Sequence, residues 1–230
     1  MPTKIVAGDM KPAARSGWKY NFGMHLRRYL LFKVAGITAF ISLFFVAYFH
    51  ILYATASRAS MMPLTFIDDL VGFHPLAFYP YASLWVYAGL APIIMPSLRE
   101  LIVYGLWAAA LCITGLACFW FWPTAVPPLQ IDTSLYTGFS LIHGLDASGN
   151  ACPSLHIATA VFTAIWLHRL LAESSTPRWL QVVNWFWCAI IAWSTVATGQ
   201  HVALDVLGGG ILGLVFARAS LWRRAARQRL

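Results

Sequence analysis

The stretch PSLHIATAVFTAIWLHRLLA, residues 153–172, places a proline, a serine and a histidine at the start of a long apolar run. The run from Ser154 to Ala172 is close to the length of about 20 residues that a helix needs to cross the hydrocarbon core of a bilayer. An ionisable side chain at the mouth of such a helix is costly and needs a specific role. The stretch therefore predicts a membrane-spanning helix that begins at a polar motif.

Five further apolar runs of similar length lie at residues 29–53, 76–95, 101–121, 180–197 and 202–222. The chain is 60% hydrophobic and 10% charged, whereas soluble domains are about a quarter charged. These features predict an all-α integral membrane protein, a six-transmembrane-helix bundle. We expect the first run to stay in the mature protein, because it is too long for a cleaved signal peptide and further spans follow it.

The chain divides into three parts by composition. We predict a polar, basic N-terminal lead over residues 1–25, a six-helix membrane domain with the candidate catalytic residues over 26–222, and a basic tail over 223–230. The segment from Met61 to Pro75 mixes apolar residues with aspartates and is typical of a segment lying at the membrane interface. The connection from Trp122 to Cys152 is the only long one, and we expect it to cover a substrate.

Basic residues flank the apolar runs and account for the formal net charge of +8. All of them except Arg58 lie near the two chain ends or in the two short connections near residues 99 and 169–178. The positive-inside rule then predicts cytoplasmic termini and places residues 54–75, 122–152 and 199–201 on the outer side. Basic residues distributed in this way do not form a nucleic-acid-binding patch, so no nucleic-acid partner is expected.

A second polar motif, His201-Val202-Ala203-Leu204-Asp205, stands at the start of the sixth run, on the same predicted outer side as the first motif. Residues four apart share one face of a helix. The Asp205 carboxylate can therefore hold one imidazole nitrogen of His201 protonated and leave the other nitrogen free. This pattern makes His201 a candidate nucleophile.

The first motif, Cys152-Pro153-Ser154-Leu155-His156, supplies the complementary groups. Pro153 is suited to the first turn of a helix and Ser154 to a cap, so we expect the fourth helix to begin here. The free N–H groups and the positive dipole end of a helix start bind anions such as phosphate. His156 can protonate a leaving oxygen and later activate water. The two motifs together predict metal-independent covalent phosphoryl transfer.

Other interpretations of the same residues stay open at this point. A single intramembrane histidine is often a packing residue, although two histidines and an aspartate on one membrane face fit that interpretation less well. His156, His201 and Asp205 also suit a three-ligand zinc site, although the usual short ligand spacing is absent. A non-enzymatic transporter or anion-binding membrane protein can use such groups too, although the six spans show no repeat.

The cysteines and glycines have simpler interpretations. Cys112 and Cys188 are expected to be small packing residues, and whether Cys118 and Cys152 pair near the outer surface is left open. The small-residue stretch on the sixth run is expected to allow close helix packing. It consists of Gly208, Gly209, Gly210 and Gly213.

At its two polar motifs the chain resembles the type 2 phosphatidic acid phosphatase superfamily. Within it, the chain looks most like the branch that includes inositol phosphorylceramide synthases and bacterial relatives, which share Pro-Ser-Leu-His followed by His-x-x-x-Asp. The stretches Asn150 to His156 and Ser194 to Asp205 carry this similarity, and Phe66-Ile67-Asp68-Asp69 and Trp122-Pro123-Thr124 also look like that branch. The similarity covers about residues 60–215.

The resemblance implies a membrane enzyme with a six-helix core and a histidine nucleophile that acts on a lipid phosphate or a phospholipid without a cofactor. It implies that His201 is the nucleophile, Asp205 its orienting partner and His156 the acid and base. Candidate substrate-binding residues are Ser154, Ser194, Asn150 and Gln200. The expected location is a bacterial inner (plasma) membrane, with the active site facing the periplasm or exterior.

Three departures from the family pattern bear on the substrate. The signature Lys-x-x-x-x-x-x-Arg-Pro is absent, Ser194-Thr195 stands where many members have Ser-Arg, and Gly199 stands where the branch often has lysine. Fewer guanidinium groups suit a phosphodiester, which carries one negative charge, better than a phosphomonoester. A lipid phosphatase is the first expectation, and a head-group phosphotransferase that uses the same site is the alternative.

Overall fold

The structure, a computed structural model, describes residues 18–129 and 149–227, which form nine α-helices, two short 3₁₀ turns and two very short strands. The helices are α1 (Trp18–Arg27), α2 (Leu30–Thr55), α3 (Phe66–Val71), α4 (Phe78–Ala82), α5 (Leu84–Ile94), α6 (Leu98–Phe121), α7 (Leu155–Glu173), α8 (Arg178–Ala197) and α9 (Ala203–Arg227). The 3₁₀ turns are Ala56–Arg58 and Pro75–Ala77, and the strands are β1 (Ser60–Met61) and β2 (Thr124–Ala125).

Among the described residues, six helical segments are long and apolar enough to cross a membrane, namely Leu30–Arg58, Pro75–Ile94, Leu98–Phe121, Leu155–Glu173, Arg178–Ala197 and Ala203–Trp222. The prediction of an all-α membrane protein with six spans is thereby confirmed. The second span consists of the turn at Pro75–Ala77 followed by α4 and α5. Ser83 lies between α4 and α5 and joins them. The sequence did not predict the parallel pairing of β1 with β2, which joins Ser60 to Thr124 and Met61 to Ala125.

Helix α7 lies at the centre of the bundle and packs against α5, α8 and α9. Of an 18-residue apolar stretch of α7, 61% of the residues are buried, whereas only 6% are buried in the corresponding stretch of the span that contains α2. Large side chains such as Phe162 and Trp166 fill the core around α7, and Tyr104 of α6 packs against both. The helix that begins at the first polar motif is thus the one most enclosed by protein, whereas α2 presents its surface outward.

At the end of the bundle that carries the basic residues, a buried charge on α2 links α1 to the end of α5. The Lys33 ammonium is buried and donates to the carbonyl oxygens of His25 (2.7 Å), Ile93 (2.6 Å) and Met95 (3.0 Å). It therefore satisfies carbonyl groups near the C-terminal ends of α1 and α5, which lack helical partners. On α7 of the same end, Arg169 donates two hydrogen bonds to Glu173.

Helices α7 and α9 approach closely because α9 carries glycine where the two backbones meet. A Cβ atom at Gly209 would lie 2.2 Å from the Ser154 oxygen, and one at Gly213 would lie 2.4 Å from the Ala158 oxygen. No larger residue fits at these two positions without a shift of one helix. The predicted close packing is confirmed at Gly209 and Gly213, which meet the first turns of α7, whereas Gly210 has no atom within 4 Å of its Cβ position.

Candidate active site

The start of α7 is built by its cap. Ser154 is the N-cap residue, and its Oγ accepts a hydrogen bond from the Ile157 N–H at 3.3 Å. Pro153 precedes the cap, so the prediction that it lies in the first turn of the helix is wrong. His156 is the second residue of the helix, as the motif predicted.

The connection between α8 and α9 places His201 directly before α9. Gly199 has a φ of +66°, a left-handed conformation that favours glycine, and its N–H donates to the Val196 oxygen at 2.8 Å. The His201 N–H donates to the Thr195 oxygen at 3.1 Å. A side chain at position 199 would also meet that of Leu129, at 2.6 Å from the Cβ position. The turn thus explains why glycine, and not a residue with a side chain, stands at this position.

A backbone hydrogen bond joins the two helix starts. The Ser154 N–H donates to the Asp205 carbonyl oxygen at 2.9 Å. Because Gly209 lies one turn further along α9, its missing side chain leaves room for this contact. The two polar motifs, which are far apart in the sequence, are therefore adjacent in the fold.

The predicted pairing of His201 with Asp205 is formed. The Nδ1 atom of His201 lies 3.2 Å from Oδ2 of Asp205, and the Asp205 side chain is fully buried. The other oxygen, Oδ1, is also buried and has no hydrogen-bond partner within the described residues. A carboxylate at Nδ1 keeps the proton there and leaves Nε2 of His201 unprotonated.

His156 lies in an aromatic environment. Its Nε2 atom lies 3.2 Å from the Tyr81 carbonyl oxygen, which can only accept a hydrogen bond, so Nε2 is the donor in this arrangement. The Tyr81 ring stacks on the imidazole with centroids 4.2 Å apart and an interplanar angle of 13°, and the Trp85 ring presents an edge at 6.4 Å. These contacts fix the plane of the imidazole ring.

The two histidine rings lie close to one another. Their centroids are 6.3 Å apart, at an interplanar angle of 54°. This separation is short enough for both rings to contact the same phosphoryl group, one through an attacking nitrogen at about 3–3.5 Å from phosphorus and the other through a hydrogen-bonded leaving oxygen at about 2.6–3.2 Å. The arrangement is suited to the transfer of one phosphoryl group from an alcohol to a ring nitrogen.

The other candidate substrate-binding residues are in or beside this region but are engaged differently. Asn150 is buried, and its Nδ2 donates to the Tyr48 oxygen at 3.2 Å while its Oδ1 has no partner in the described part of the chain. The fully buried Ser194 donates from Oγ to the Ile191 oxygen of its own helix at 2.7 Å. Gln200 is half-buried beside His201. Ser154 is fully buried at the cap. Their roles in substrate binding stay predictions.

Arg58 makes its described contacts with an aromatic residue. The Arg58 guanidinium donates to the Trp120 carbonyl oxygen at 3.2 Å and lies 5.8 Å from the centre of the Trp120 ring. It lines an open cavity of about 360 Å³ together with Ser60 and residues 121–124. This cavity is a feature distinct from the contacts that join the two histidines.

The cysteines are free thiols. Cys112 and Cys188 are buried, as expected of packing residues, and Cys118 and Cys152 are half-buried and unpaired. Burial raises the pKa of the Cys152 thiol, and the negative charges of Asp205 and Cys118 raise it further. A thiol with a raised pKa stays protonated near neutral pH and is a poor nucleophile.

Sequence reasoning missed two neighbours of the site. Asp68 of α3 accepts a hydrogen bond at Oδ1 from the Ala203 N–H, the first residue of α9, at 2.7 Å. Tyr81 supplies the oxygen and the ring that hold His156. In the sequence, Asp68 was noted only as part of the stretch Phe66-Ile67-Asp68-Asp69, which resembles the family. No local pattern linked Tyr81 to a histidine on another helix.

A three-ligand metal site is not formed by the described residues. Within residues 18–129 and 149–227, no three His, Cys, Asp or Glu side chains are grouped as metal ligands would be. The arrangement joins each imidazole to its own oxygen acceptor, Asp205 for His201 and Tyr81 for His156.

Comparison with known families gives one match. Residues 120–229 match the sequence model of the PAP2 superfamily, and this range includes His156, His201 and Asp205. No curated protein and no solved structure is significantly similar to the chain. PAP2 proteins are all-α membrane proteins and are generally phosphatases or phosphotransferases, so the match suggests a phosphatase-type activity on lipid phosphoesters.

Proposed function

We propose that the chain is a membrane-embedded lipid phosphatase that cleaves a lipid phosphate ester through a phosphohistidine intermediate on His201. The observation that supports this most directly is the position of the His156 ring, 6.3 Å from that of His201, while Asp205 holds Nδ1 of His201. Covalent phosphoryl transfer requires a nucleophile with an orienting partner and an acid that can reach the same phosphoryl group.

The first step transfers the phosphoryl group to the protein. Nε2 of His201 attacks phosphorus, a P–N bond forms, and the P–O bond to the lipid alcohol breaks with its electron pair on the leaving oxygen. His156, which is doubly protonated at the start of this step, donates one proton to that oxygen and becomes neutral. The buried Asp205 carboxylate stabilises the positive charge that develops on His201.

The second step releases phosphate. Water attacks phosphorus while His156 accepts one of its protons, and the P–N bond breaks with its electron pair returning to Nε2 of His201. The product is inorganic phosphate. His156 thus acts as acid in the first step and as base in the second.

The start of α7 is the proposed site for the phosphate oxygens. The first residues of a helix have N–H groups without helical partners, and the positive dipole end adds to their attraction for an anion. Ser154, Asn150, Ser194 and Gln200 are the proposed contacts around it. Because His156 and His201 each bond a separate oxygen acceptor, we propose that the reaction needs no metal ion.

The alternative product class is a transferred head group. Arg58 is the only Lys or Arg in the predicted outer segments, and its guanidinium contacts Trp120. Fewer cations favour a monoanionic diester over a phosphomonoester. An alcohol in place of water would then give a new phospholipid, as in the inositol phosphorylceramide synthase-like branch that the motifs resemble.

The proposed location is a bacterial inner membrane with both termini in the cytoplasm and the site facing the periplasm or exterior. The site lies at the end of the bundle opposite Lys33 and Arg169, and the positive-inside rule assigns the basic end to the cytoplasm. A substrate would then reach the site from the outer leaflet.

A product assay tests this function. Purified protein in detergent micelles is incubated with a panel of lipid phosphates and phospholipids, with and without a lipid alcohol, and free phosphate and new lipid species are measured. Free phosphate that disappears with His201→Ala supports the phosphatase, and a new head group that disappears with the same variant supports the transferase. Activity that persists in His201→Ala refutes both.

A further inference from the structure

The carboxylate of Asp68 joins two elements at the edge of the site. Its Oδ2 accepts from the Thr65 N–H at 2.7 Å and from the Thr65 hydroxyl at 2.8 Å, which fixes the start of α3. Its Oδ1 accepts from the Ala203 N–H at 2.7 Å. One side chain therefore fixes its own short helix and reaches the first residue of α9.

Helix α9 needs such a partner because its own sequence provides none. The residue before Ala203 is Val202, which is buried and has no side-chain acceptor. The first N–H groups of a helix lack helical partners and are usually satisfied by Ser, Thr, Asp or Asn at the cap. Asp68 supplies that oxygen from another part of the chain, and its negative charge is also favourable at the positive end of the helix.

The segment from Thr65 to Ala77, the α3 segment, also holds the other side of the connection between α8 and α9. The His74 N–H donates to the Ala197 oxygen, at the last residue of α8, at 2.8 Å, and the His74 ring lies 5.7 Å from the Trp193 ring. The turn that carries His201 is thus bounded by two contacts with the α3 segment.

We propose that Asp68 is a positioning residue for the pair of His201 and Asp205. Asp205 is the third residue of α9, so the hydrogen bond at Ala203 fixes the turn from which its carboxylate reaches His201. Without that bond the first turn of α9 frays and the orientation of the His201 ring is lost. The inference rests on the proposed function of His201.

The kinetic test compares Asp68→Ala, Asp68→Asn and a neighbouring control, Asp69→Asn. Asp69 is exposed on the same short helix. We expect Asp68→Ala to lower kcat about 10–100-fold, the range seen when an orienting partner is lost, with little change in KM. Asparagine keeps an oxygen for Ala203, so Asp68→Asn recovers most of kcat. Asp69→Asn is expected to behave as wild type.

Hydrogen exchange provides a readout that does not depend on activity. The peptide that contains Ala203 is followed by mass spectrometry in detergent micelles, and its exchange is expected to be faster in Asp68→Ala and unchanged in Asp69→Asn. If the wild-type protein hydrolyses no lipid phosphate, the proposed function fails, while the exchange result still decides whether Asp68 caps α9.

Two results overturn the proposal. One is Asp68→Ala with wild-type kcat and wild-type exchange at Ala203. The other result applies if Asp68→Ala does not fold. In that case the proposal fails if Asp68→Asn keeps the Ala203 amide protected from exchange but has a kcat as low as that of His201→Ala, because Asp68 would then act directly and not through α9.

Discussion

The close approach of α7 and α9 leads to a prediction for Gly209→Ala. The added Cβ would lie 2.2 Å from the Ser154 carbonyl oxygen, whereas close C···O contacts are about 3.3 Å or longer. The obstructing atom belongs to the backbone, so no side-chain rotation relieves the contact. The two helix starts must therefore separate by about 1 Å.

This separation breaks the bond between the two motifs. The Ser154 N–H to Asp205 oxygen distance of 2.9 Å would lengthen beyond the range of a hydrogen bond, about 3.2 Å for N–H to O. Overpacking of this kind costs about 1–3 kcal/mol, and the lost hydrogen bond costs about 1 kcal/mol more. Because His156 and His201 move apart with their helices, we expect kcat to fall about 100-fold, as misplacements of about 1 Å do.

Gly210→Ala is the matched control, since a Cβ at Gly210 has no atom within 4 Å. Alanine there is expected to keep activity and to raise helix stability slightly, by about 1 kcal/mol or less. Thermal unfolding in detergent and the phosphate-release assay are measured for both variants. Wild-type melting and wild-type kcat in Gly209→Ala would refute the packing argument.

Three further predictions concern the chemistry and the orientation. His201→Ala and His156→Ala are each expected to abolish turnover and to leave thermal unfolding unchanged. Asp205→Asn is expected to lower kcat severely, because the orientation of the imidazole is lost. A labelled phosphoenzyme that is stable to base and labile to acid, and that forms in wild type but not in His201→Ala, would identify the intermediate. Turnover is expected to survive treatment with EDTA, with the metal content of the protein checked afterwards. Loss of turnover with EDTA and its recovery on addition of zinc would favour a metal site. In a variant without native cysteines, Ser57→Cys is expected to react with an impermeant thiol reagent in intact cells and Ser174→Cys is not; the reverse pattern would place the active site in the cytoplasm.

Local chemistry made much of this protein predictable. A run of apolar residues long enough for a bilayer must satisfy its backbone internally, so the six spans followed from composition and length alone. The contact between His201 and Asp205 followed from their spacing, because residues four apart share a helix face. Ser154 was suited to a cap by its side chain, and only the place of Pro153, before the cap, differed from expectation.

The partners that come from distant parts of the chain were decided by the tertiary structure. The distance between His156 and His201, the ring of Tyr81 on His156 and the carboxylate of Asp68 at Ala203 each join different helices. Helices in a membrane bundle present similar apolar surfaces, so sequence does not determine which faces meet. Here the missing side chain of Gly209 allows α9 to contact the backbone at Ser154, and that approach brings the two polar motifs together.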